Sequence, residues 1–70
     1  MDENRAEKAV IAKGFRVLFQ TLSGKLQTHD HISPVVEYKD EKGVIEIVMQ
    51  EGNVWRFEKS CVLHTLLYPV

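Results

Sequence analysis

The sequence predicts an α+β fold: one long N-terminal helix packed on a three- to four-stranded antiparallel β-meander, with a tail suited to a short C-terminal helix. Three observations carry that expectation. Apolar residues in the first third recur at helical spacing, β-rich runs in the second half alternate in polarity, and turn residues separate those runs.

The helix begins where Asn4 and Glu7 stand at capping-box spacing, with Asp2 and Glu3 placed to favour a helix N-terminus. Ile11, Ala12, Phe15, Leu18, Phe19 and Leu22 then follow at the i, i+3, i+4 intervals of one helical face. Arg5, Ala9, Lys13, Arg16 and Gln20 gather on the opposite face, and Ser23-Gly24-Lys25 supplies a helix stop. Gly14 costs about 1 kcal/mol inside a helix and opens a rival reading. In that rival, Phe15–Thr21 is a strand and Ser23-Gly24 a hairpin turn. The chain then holds about five short strands by pattern, an N-terminal helix plus a small SH3-like β-barrel. That scaffold is common among adaptor and nucleic-acid-binding modules.

The second half reads as sheet. Pro34 opens a strand at Val35–Lys39, Asp40-Glu41-Lys42-Gly43 is a turn, and Val44–Gln50 is the next strand. Glu51-Gly52-Asn53 turns the chain again into Val54–Lys59. These loop lengths set Tyr38 opposite Ile45, Val36 opposite Ile47, Met49 opposite Trp55 and Ile47 opposite Phe57. Val36, Tyr38, Ile45, Ile47, Met49, Trp55 and Phe57 thereby share one face, which the helix stripe covers. In the tail, Val62, Leu63, Leu66 and Leu67 suit either a short helix capped by Ser60 or a fourth strand ending before Pro69.

Seventy residues make a single domain, 1–70, with 44% apolar and 27% charged residues in ordinary globular proportion. A chain this short buries only about 60% of its unfolded surface, so a partner chain or a metal is a usual remedy. Nine basic against ten acidic side chains argue against a strongly basic nucleic-acid binder. The single cysteine, Cys61, excludes an intrachain disulfide and suits a reducing, cytoplasmic setting. The start Met1-Asp2-Glu3-Asn4 lacks the charged and apolar regions of a signal peptide, and no apolar run approaches membrane-spanning length.

Catalysis is not expected. There is no Gly-rich phosphate loop, and Cys61 lies among Val62, Leu63, Leu66 and Leu67, where a thiol is inert. No cofactor is called for. The alternative is a zinc-stabilised domain, in which His29 and His31 join Cys61 and His64 as four nitrogen and sulfur ligands. The leading expectation is a small intracellular protein-interaction or regulatory module, a homodimer or the partner of another protein. Val44, Val48, Val54 and Arg56 are its candidate interaction residues, because they lie on the sheet face opposite the helix. The C-terminal segment or a second copy of the chain would cover those valines; otherwise they are simply exposed, as is common on protein surfaces. The other alternative is nucleic-acid binding through the basic helix face, with Arg5, Lys13 and Arg16 toward a polyanion.

Overall fold

The computed structural model describes residues 9–70, so the expected capping box at Asn4 and Glu7, and Arg5 with it, lie outside the described residues. The architecture is an all-β antiparallel sheet of five strands in the order β4-β3-β2-β1-β5. The strands are β1 (Ala12–Gln20), β2 (Leu26–Glu41), β3 (Val44–Met49), β4 (Val54–Glu58) and β5 (Val62–Tyr68). A single 3-10 turn, Lys59–Cys61, links β4 to β5. No α-helix occurs among the described residues, and none there is long and apolar enough to cross a membrane.

The expected α+β arrangement is therefore corrected at both ends. The region read as helix is β1, in which Phe15 and Val17 are fully buried while Arg16 and Gln20 are exposed. Phe15, Val17 and Phe19 alternate inward, and aromatic and β-branched residues suit a pleated surface. Phe15 and Phe19 also fit a helical stripe, so the stripe and the alternation compete for the same residues. Gly14 decides the contest. A Cβ there would stand 2.5 Å from the His31 carbonyl oxygen and 2.9 Å from the Ile32 Cα, so β2 approaches β1 more closely than any side chain allows.

The tail is not a helix either. It forms β5, antiparallel to β1, with Phe15 opposite Leu67 and Val17 opposite Thr65. It thus extends the sheet beside β1 instead of folding over Val44, Val48 and Val54. The rival reading placed a strand at Phe15–Thr21, a turn at Ser23-Gly24 and a barrel behind a helix. Strand and turn occur there, but no ladder joins β4 to β5 among the described residues, so hydrogen bonds do not close the sheet.

β2 is the backbone of the architecture. Its sixteen residues pair with β1 through the first half and with β3 through the second. Val35 sits at the exchange, opposite both Ala12 and Met49, and is fully buried. The register shifts on either side of it, between Ala12 and Gly14 in one ladder and between Val35 and Glu37 in the other. Such irregularities bend a strand, and Pro34, which has no N–H to offer a ladder, is accommodated at one. The Pro34 carbonyl accepts from the Gln50 N–H at 2.9 Å.

The bend curls the sheet over its own inner face. Strands spaced about 4.8 Å apart would leave β1 and β4 about 14 Å apart in a flat sheet. Yet the Phe15 ring lies 6.0 Å from Trp55 and 6.3 Å from Phe57, centroid to centroid. The core consists of Ala12, Phe15, Val17, Val35, Ile45, Ile47 and Met49, with Phe19, Tyr38, Trp55, Phe57, Val62 and Leu67 packed against it. Aromatic pairs at these tilted, edge-on distances contribute about 0.5–1.5 kcal/mol each beyond the area they bury.

Two registers differ from expectation. The turn after β2 is a two-residue connection, Lys42 and Gly43, both at positive φ (54 and 76), as a tight hairpin requires. Tyr38 therefore faces Ile47, and Trp55 also faces Ile47, each two residues from the expected partner. A slip of two leaves every side chain on its own face, so Tyr38, Ile45, Ile47, Met49, Trp55 and Phe57 still point to the core.

Candidate functional site

The outward face of the sheet divides at the bend. Across β2, β3 and β4, three rows of outward residues run Glu37–Val48–Val54, Lys39–Glu46–Arg56 and Glu41–Val44–Glu58. Arg56 Nε donates to Glu46 Oε2 at 2.6 Å, and Lys39 Nζ lies 3.8 Å from Glu37 Oε2. Val44 and Val48 are half-buried between such side chains, whose apolar stems shield them. Only Val54 among the three valines is exposed, at 46%. Lys39, Glu41, Lys42, Val44, Glu46 and Arg56 line a shallow depression there, in which both signs of charge alternate.

Across β2, β1 and β5 the outward rows read differently: Thr28–Leu18–His64, Asp30–Arg16–Leu66 and Ile32–Gly14–Tyr68. One polar network crosses them. Arg16 Nη2 lies 3.3 Å from Asp30 Oδ2, and the Tyr68 hydroxyl donates to Asp30 Oδ1 at 2.9 Å. Desolvation pushes the Tyr68 phenol above its ordinary value of 10.0; the hydrogen bond to Asp30 and that carboxylate's charge act in the same direction, against Arg16. Around this network the surface is apolar. Ile32 is 70% exposed and Leu66 39%, and Leu63, at the irregularity between the two ladder halves of β5, is 56% exposed.

The remaining sequence-derived candidates are dispersed. Lys13 and Arg16 lie on β1 and form no helical stripe, which removes the basis of the expected polyanion face; Arg16 is engaged by Asp30. His29 and His31 stand on β2 opposite Val17 and Phe15, not in a loop, with ring centroids 6.1 Å apart. They pack inward against Trp55 at 4.4 and 5.4 Å. Cys61 belongs to the 3-10 turn, and His64 pairs with Leu18 in an outward row. No group of three or more ligand-type side chains converges among the described residues, so the four zinc candidates are not brought together. His29 Nε2 and Trp55 Nε1 are enclosed in this aromatic cluster, with no hydrogen-bond partner among the described residues.

Ile32, Leu63 and Leu66 are not among the expected interaction residues, because the helix reading puts His29-Asp30-His31 in a connecting loop and leaves the tail as helix or strand. The signal that could have found them is the alternation Leu26, Thr28, Asp30, Ile32, which puts Ile32 outward if the segment is a strand. No protein-family model, curated protein or solved structure matches this chain.

Proposed function

We propose that this chain is a non-catalytic protein-interaction module whose partners include further copies of itself. One observation carries the reading: the sheet ends in two open edges, β4 and β5, and no helix among the described residues covers either of them. An open edge displays a row of unpaired N–H and C=O groups, a template for another strand. Exposed apolar side chains near β5 add to it, since patches of that kind on a soluble surface mark contact sites. A core of seven buried apolar residues among the described ones is small, and association is a common supplement for such a domain.

Native mass spectrometry on the untagged chain tests the reading. The expected result is a species of more than one subunit across the micromolar range. A monomer at every concentration would remove it.

A further inference from the structure

The two edges are not equivalent, and their difference points to how copies meet. β4 has five residues, Val-Trp-Arg-Phe-Glu, and carries Arg56 and Glu58 outward. Short length and outward charge are the usual protections of an edge strand. β5 has neither. Its seven residues, Val-Leu-His-Thr-Leu-Leu-Tyr, include no Asp, Glu, Lys, Arg, Gly or Pro, and Pro69 follows only after the strand has ended. Segments of this length with high β-propensity and no formal charge pair readily with strands like themselves.

Resting on the self-association proposed above, we infer that two copies of the chain join β5 to β5, antiparallel, about a two-fold axis normal to the sheet. An isologous contact uses the same patch on both copies, so the unguarded edge meets its own equal and the charged β4 edge stays in water. A two-fold axis in that direction keeps each outward face beside the other's outward face. Leu66 of each copy then comes close to the seam, with Leu63 beside it, while Ile32 stays two strands away on the same face. The Arg16–Asp30–Tyr68 network ties β5 across β1 to β2, so the edge is presented already ordered.

The test combines mass and exchange measurements on the full chain. Native mass spectrometry and light scattering of the wild type should give two subunits. Leu66→Lys and Leu63→Lys should each raise the dimer Kd at least about tenfold, since each places an unpaired charge against an apolar surface. Leu22→Lys, at the fully exposed tip of the β1–β2 hairpin, should leave it unchanged. Hydrogen exchange on the wild type provides a readout that no variant's folding can confound: β5 amides should gain protection as protein concentration rises, and β4 amides should not. An assembly of more than two subunits, or concentration-dependent protection at β4, would overturn the two-fold β5 contact while leaving self-association standing. A dimer unaffected by both lysine variants, with β5 exchange independent of concentration, would do the same. A monomer throughout would remove the underlying reading itself.

Discussion

The two halves of the outward sheet face obey one alternation rule and end in opposite surfaces. On the β2–β3–β4 half, Val48 and Val44 stand on either side of the charged row Lys39–Glu46–Arg56, in which Arg56 pairs with Glu46 and Lys39 reaches back to Glu37. On the β2–β1–β5 half, the Arg16–Asp30 pair and Tyr68 share the face with Ile32, Leu18 and Leu66. Val44 and Val48 are thus half-buried, whereas Ile32 and Leu66 of the other half meet water, as does Val54 at the end of its row. The number of apolar residues on a face says little about exposure. What decides it is whether long charged neighbours lie across them.

Substitutions in the shared core should break both halves at once, with the largest effect. Phe15→Ala removes the ring that bridges β1 to β4 and should cost about 3–5 kcal/mol, read as a lower denaturation midpoint. An intact midpoint would mean that the halves do not depend on each other through the curl. Gly14→Ala comes next. The contact is with backbone on β2, which cannot swing aside, so a loss of about 1–3 kcal/mol is expected. Gly24→Ala has open space around it and pays only for its positive φ of 91, about 1 kcal/mol. Equal losses at the two glycines would refute the close approach of β1 and β2.

Smaller effects separate the halves. Tyr68→Phe should loosen β5 without touching β3 or β4, visible as faster amide exchange in β5 alone. The same contact has a pH signature. Because the folded phenol titrates above its unfolded value, its contribution is complete below pH 10.0 and is lost as pH rises through the folded value. An alkaline titration should show loosening of β5 in the wild type and not in Tyr68→Phe. Least of all, Arg56→Met should change stability by under about 1 kcal/mol, since the pair with Glu46 is partly exposed and screened. A larger loss would mean that the charged rows bear on the core beneath them.

Much of the second half was legible beforehand. The alternation from Tyr38 through Phe57 named the inward residues correctly although both turns were counted differently, because each register error was an even number of residues. Val36 was expected inward with them, yet Val35 beside it is the fully buried residue, since the irregularity there changes the phase between Val35 and Tyr38. The first half was misread for a definite reason. Leu18 extends a helical stripe as well as it occupies an outward strand position, and nothing local excludes either. The candidate surface was hidden for the same cause, because Ile32 gains a direction only once Leu26–Pro34 is known to pair with β1.

By itself, the sequence determined where strands could run from Val35 to Glu58 and which side chains from Tyr38 to Phe57 turn inward. Those are consequences of local periodicity and residue chemistry. Only the tertiary structure decided that Phe15 belongs to a strand, that β2 bends at Val35 to serve two partners, and that β5 lies at an edge beside β1. These depend on contacts between residues far apart in the chain, such as Gly14 against His31 and Phe15 against Phe57, which no local pattern encodes.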